Sequence, residues 1–225
     1  MKIVTINNDY KIKGAQSLSV SEKEFGNIPL ENIDYIIVSG GDGLLRRIIE
    51  KIIKKGKERP VIIIDAKGSF NVIAKRYMIP KVQKVIRKLE KGEELDYRNL
   101  DVYKLNQHIF LFSAGNVTDA LHIHLSEMIR LGILKKGPWR YLISGLFVLP
   151  VTILTFPFLL FSKKRFFIFT PFKMINFRNH YTKIDHLRFD VENEYNILEI
   201  DGDLVILEDR FIDIRKIDEI QIIVK

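Results

Sequence analysis

The chain has 225 residues, 47% of them hydrophobic, enough for one large domain or two small ones with real cores. The absence of cysteine excludes a disulfide scaffold, a thiolate metal site and a cysteine nucleophile. A formal net charge of +8 favours an anionic partner, whether nucleotide, nucleic acid or acidic membrane face, without choosing among them.

The first third reads as alternating strand and helix. KIVTI (Lys2–Ile6) is a short β-rich run, and its surroundings, MKIVTINNDYKIKG, hold no apolar core or cleavage signature of a signal peptide. DYIIVS (Asp34–Ser39) and PVIIIDA (Pro60–Ala66) are buried strands, with the helix LLRRIIEKIIKK (Leu44–Lys55) between them. FNVIAKRYM begins another helix, and KVQKVIRKLEKG (Lys81–Gly92) is a further one that ends on glycine. Continuous Ile/Val strands between helices predict a parallel sheet covered on both faces. The basic face of the first helix (Arg46, Arg47, Lys51, Lys54, Lys55) is expected to face solvent.

From Leu95 the pattern changes. LDYRNLDVYKLN and HIFLFSAGN predict a pair of strands, and VTDALHIHLSEMIRLGIL (Val117–Leu134) has helical periodicity. His122 and His124, two apart on that helix, do not share a face and are not read as a metal pair. Beyond residue 165 follow short strands: RFFIFT, FKMINFR, HLRFDV, YNILEIDG, LVILED, FIDIRKI and EIQIIV. The expected architecture is therefore α/β plus β-rich: a parallel α/β domain over residues 1–96 and an antiparallel domain over 97–225, whose last strand is free to return to the first. Between the two kinds of strand lies LISGLFVLPVTILTFPFLLF (Leu142–Phe161), twenty residues without a charge. Its length suits a membrane span, but Pro150 and Pro157 argue against an uninterrupted helix. A buried core segment and a lipid-docking element are the other readings. Trp139 and Tyr141, together with Lys163, Lys164 and Arg165, suit an anionic membrane surface.

Chemistry concentrates at the turns. Ser39-Gly40-Gly41-Asp42-Gly43 follows a strand and opens a helix, where open α/β sheets bind ligands. Glycines there let backbone amides approach anionic oxygens, and the helix N-terminus adds positive potential. Asp42 is a candidate Mg²⁺ ligand or base; a turn capped by Asp is the plainer reading. One strand later, Gly68-Ser69 and Asn71 repeat the arrangement, with hydroxyl and amide groups suited to a nucleotide.

These stretches resemble a known family. SGGDGLLRRIIEKI is similar to the GGDGT/SGDGL nucleotide motif of the diacylglycerol kinases and sphingosine kinases, whose superfamily includes the NAD kinases. KGSFNVIAK resembles that family's GTxNDFAR segment, FLFSAGNVTDAL (Phe110–Leu121) its NxGxGxDA stretch, and GPWRYLISGL (Gly137–Leu146) its GxxxY helix. EIDGDLVIL (Glu199–Leu207) resembles its DGE motif. The resemblance implies an α/β nucleotide domain, a β-rich lipid domain, and ATP- and Mg²⁺-dependent phosphorylation of a lipid hydroxyl, diacylglycerol being the first candidate. It also implies that Gly40, Gly41, Asp42 and Gly43 face the phosphates, that Ser69 and Asn71 support the nucleotide, and that Asp203 accepts the proton, with Asp201 beside it as a further metal candidate. A cytoplasmic chain held at the inner face of a membrane is the corresponding location, with no nucleic-acid partner and a homodimer left open. The family's first phosphate loop, NPxSG, has INNDYKIKG in its place, Val72 replaces an aspartate, and Asp203 replaces a glutamate. A weakened or inactive relative that binds lipid or nucleotide, or a kinase of a soluble substrate such as NAD, are the alternatives.

Overall fold

The computed structural model describes residues 1–116, 143, 145–147, 149, 150, 153, 154, 166–170 and 186–224. The helix expected over Val117–Leu134, with Asp119, His122 and His124, the strand FKMINFR and the basic residues 163–165 lie outside the described residues, as does most of Leu142–Phe161. Two compact units are present: Met1–Val102 with Asp218–Lys225, and Tyr103–Ile217.

The first unit contains β1 (Lys2–Ile6), β2 (Gln16–Val20), α1 (Glu22–Phe25), β3 (Tyr35–Gly40), α2 (Asp42–Lys54), β4 (Val61–Ala66), α3 (Val72–Arg76) and α4 (Val82–Lys91). To these it adds the start of β5 (Tyr97–Leu105) and the end of β12 (Phe211–Ile223). Its strand order is β2-β1-β3-β4-β12-β5. β1 pairs in parallel with β2 and β3, β3 with β4, and β4 with β12 through Ile62 and Ile222. Neighbouring residues such as Ile36 and Ile37 are both fully buried. Because successive side chains point to opposite faces, the sheet must be covered on both sides. One face packs Ile3, Ile37, Ile63 and Ile223 against Val82 and Val85 of α4. α2 lies on β3 and buries Leu45, Ile48, Ile49 and Ile52 at i, i+3, i+4 and i+7 spacing.

β2 and α1 were not legible as elements. QSLSV is exposed along an edge, so no apolar alternation marks it. α1 is a single turn, held by a capping box in which Ser21 Oγ accepts from the Glu24 amide and Glu24 accepts from the Ser21 amide. The cations on α2 do not all face solvent. Arg47 pairs with Glu22 at 2.7 Å, and Lys51 and Lys55 donate to the carbonyls of Glu22 and Ile28.

The second unit is antiparallel. A sheet of order β11-β10-β7-β8 is built from β7 (Ser113–Gly115), β8 (Phe167–Phe169), β10 (Asn196–Ile200) and β11 (Asp203–Leu207). β5 folds back on β6 (His108–Phe110), and β9 (His186–Asp190) pairs with β12. Phe110, Phe166, Ile168, Leu198, Ile200 and Ile212 belong to one buried cluster. FIDIRKI and EIQIIV, expected as two strands, are one strand of 13 residues, since no glycine or proline interrupts the run.

Candidate functional site

In the first unit, both glycine turns sit at the carboxyl ends of adjacent parallel strands. Gly40 is opposite Ala66 in the β3–β4 register, and its carbonyl accepts the Lys67 amide at 2.9 Å. The turns then meet backbone to backbone. A Cβ placed on Gly68 would lie 2.4 Å from Gly41 Cα, and one on Gly41 would lie 3.1 Å from Gly68 Cα. Hydrogen at Gly68 lets the loops come this close, and a Cβ on Gly41 would be a tight fit.

Polar groups lock the loops together. Asn71, at the N-cap of α3, has φ 49° and ψ 55° and does not cap that helix with its own side chain. Its carboxamide turns back on Gly68 instead, accepting that residue's amide at 2.9 Å and donating to its carbonyl at 2.8 Å. Asp42, the first residue of α2, supplies the missing cap from the other loop. Its Oδ2 accepts from the Val72 amide at 2.7 Å and its Oδ1 from the Ile73 amide at 3.1 Å. Burial pushes this carboxyl above the usual aspartate range, against the pull of those amides and of Lys75. Gly43 is inside the first turn of α2, and Ser69 is half-buried between Gly68 and Asn71. Ser39, Gly40, Gly41, Asp42, Gly43, Gly68, Ser69 and Asn71 thus share one site within this unit.

A third contributor was not foreseen. The loop after β1 lays Tyr10 across the strand ends, where its hydroxyl donates to Asp65 Oδ2 at 2.6 Å and stands beside the Ser39 hydroxyl. Burial, then the Asp65 carboxylate, pushes the Tyr10 phenol up. The available signal was Asp65 itself, a carboxylate closing the run VIIIDA and buried in the structure. Strand order adds weight to this loop. The chain winds one way from β1 to β2 and the other way through β3 and β4, so the switch point lies between β1 and β3.

The second unit places Asp201 and Asp203 around Gly202. Asp201 and Gly202 have φ of 50° and 89°, the left-handed pair that a two-residue hairpin between β10 and β11 requires. Asp201 is buried; Oδ2 accepts the Leu111 amide, and Oδ1 those of Phe112 and Ser113, all at 2.7–2.9 Å. It fastens the hairpin to the chain entering β7. Asp203 begins β11 opposite Ile200 and is half-buried. Glu199 is a further carboxylate here, accepting from the Ser113 hydroxyl and the Gly202 amide. Among the described residues, no three acidic or histidine side chains cluster as a metal cage.

Residues 6–105 match the family model of the diacylglycerol kinase catalytic domain. That segment, under half of the chain, carries the likeness to the diacylglycerol kinase catalytic domain. Two solved structures of Bacillus anthracis str. Sterne chains, described provisionally as diacylglycerol kinases, align over all of this chain. They share 12% identity with it, cover 97% and 96% of their own length, and give TM-scores of 0.55 and 0.56. That likeness is one of fold. An NAD kinase from Archaeoglobus fulgidus in complex with ATP aligns over 98% of this chain and 92% of its own, at 14% identity and a TM-score of 0.46. No curated protein matches the sequence.

Proposed function

We propose that the chain is an ATP-dependent lipid kinase that transfers the γ-phosphate to the hydroxyl of a lipid alcohol, diacylglycerol being the leading candidate. The observation that carries this reading is the backbone contact of Gly41 and Gly68 at adjacent strand ends, inside the family-matched segment. The residues present fit a phosphate chain: glycines carry no side chain to screen their backbone amides, and α2 begins at the same place. Gly40, Gly41, Gly43, Gly68 and Ser69 hold the phosphates in this reading, while Asp42 and Asn71 keep the two loops in register. ATP would supply the transferable phosphoryl group, and Mg²⁺ would offset its charge. Asp42 is the acid of this unit best placed to add a contact to that ion.

A lipid hydroxyl is a weak nucleophile at neutral pH, so a carboxylate must take its proton as it attacks. We assign that role to Asp203. Asp201, buried on three amides, holds the hairpin that presents Asp203. Leu146, Phe147, Leu149, Ile153 and Leu154 are helical and exposed, which supports a lipid-facing role for the uncharged stretch. No helix among the described residues is long and apolar enough to cross a membrane.

Incubation with labelled ATP, Mg²⁺, a panel of lipid alcohols and NAD tests the assignment. Label is expected on a lipid alcohol, with Asp203→Asn lowering turnover roughly 100- to 10,000-fold. Label on NAD alone would replace the reading with a soluble-substrate kinase; full activity in Asp203→Asn would remove that residue from the mechanism.

A further inference from the structure

The most one-sided charge of the first unit lies on α4 and the chain that leads into it. Between Ala66 and Leu89 the chain has seven lysines and arginines and no aspartate or glutamate. On α4 the distribution is directional. At about 100° per residue, Lys81, Lys84, Arg87, Lys88 and Lys91 fall within an arc of about 120°. Val82 and Val85 turn the adjoining stripe into the core. Lys81, Lys84 and Arg87 are exposed. Just ahead of the helix, Met78 is 67% exposed and has φ 50°, an unusual conformation for a residue other than glycine. It is held out beside Pro80 and the start of the cationic flank. A cleft of about 300 Å³ near this point is lined by Lys67 and Lys81, but also by Asp65. That carboxylate makes the cleft a poor seat for an anion, so the flank of α4 is the attractive surface.

We propose that the exposed flank of α4, with Met78 at its leading end, docks on the face of an anionic phospholipid bilayer. A straight row of cations on one side of a helix matches an extended negative surface, and an exposed thioether beside it can enter the headgroup region. Nucleic acid is the poorer match, because Met78 offers no stacking plane. The inference goes beyond the lipid-kinase reading, since it rests on the charge of this unit and not on the chemistry of its substrate.

Co-sedimentation with phosphatidylcholine vesicles, with and without phosphatidylglycerol, tests it without ATP. Wild-type protein is expected to partition only to the anionic vesicles, and less as salt is raised. Lys84→Glu/Arg87→Glu is expected to lower partitioning at least about twentyfold, given roughly fivefold per cation at such a surface. Lys84→Gln/Arg87→Gln gives a smaller loss, and Met78→Ser a few-fold loss at unchanged salt dependence. Turnover of a short-chain diacylglycerol dispersed without vesicles stays as in the wild type for the double variant. The proposal is overturned if the wild type ignores anionic vesicles, if the charge-reversed variant binds them as well as the wild type, or if the substitutions weaken binding of a polynucleotide but not of vesicles. Vesicle binding that depends on Lys84 and Arg87 in a chain that phosphorylates no lipid would keep this inference and remove the lipid-kinase reading.

Discussion

Gly68 is the position where one atom decides the site. Any side chain there would overlap Gly41 Cα at 2.4 Å and Asn71 Oδ1 at 2.7 Å, and the first of these is backbone that cannot swing aside. Gly68→Ala should force the two loops apart, costing about 1–3 kcal/mol in urea unfolding and a larger fraction of nucleotide affinity. Gly26→Ala is the matched control, because Gly26 is right-handed and its added Cβ would come no closer than 3.3 Å to a carbonyl oxygen. Equal effects of the two substitutions on nucleotide binding would show that the loop contact is incidental. The glycines themselves were legible in the sequence, since a strand followed by SGGDG announces a loop with a reason to be bare. Their contact was not, because nothing local says that Gly41 and Gly68 meet. The destination of the Asp42 carboxylate was equally hidden: a residue that opens one helix caps another thirty positions on.

The elements were read best where burial on both faces leaves an unbroken apolar run. YIIVSG and VIIIDA announce β3 and β4 by composition alone, while QSLSV, open to solvent at the edge, announces nothing. α1 shows a second limit. Four residues cannot hold a helix by themselves, so this turn depends on its capping box and on the cations of α2. Arg47, first by hydrogen bond and then by charge, holds the Glu22 carboxyl below the usual glutamate range against the effect of burial. A carboxyl depressed by folding contributes stability above its unfolded pKa, and that contribution is lost as pH falls through the lower folded value. Arg47→Met should therefore destabilise the chain at neutral pH by on the order of 0.5 kcal/mol, the range of partly exposed pairs. The gap to the wild type should close on acidification into that window and on addition of salt. Urea unfolding across pH checks this; a gap that is constant with pH would mean that Arg47 acts through its aliphatic stem alone.

At the scale of the whole chain, the first unit is completed by its most distant residues. Asp218–Lys225 return to it, with Ile222 paired to Ile62 and Ile220, Ile222 and Ile223 buried. Arg59 reaches Asp218 at 2.6 Å, Asn99 donates to Glu219 at 2.6 Å, and the Val224 amide donates to the Asp96 carbonyl at 2.9 Å. The strand was evident from its isoleucines, but its place between β4 and β5 depends on a pairing across most of the chain, which no local pattern encodes. That place makes it more than an edge. Burial of three isoleucines contributes about 5–9 kcal/mol, comparable with the roughly 5–15 kcal/mol that separates a folded domain from its unfolded state. Deleting Asp218–Lys225 should therefore abolish a cooperative unfolding transition for the first unit, and Ile222→Ala should cost about 2–5 kcal/mol. Because β12 also passes through the second unit, the two variants should be followed by hydrogen exchange resolved along the chain. Loss of protection in β3 and β4 is the expected signature. Retained protection there in the deleted chain would mean that β1 to β4 and their helices form a self-sufficient body, and that the returning strand only seals its exposed side.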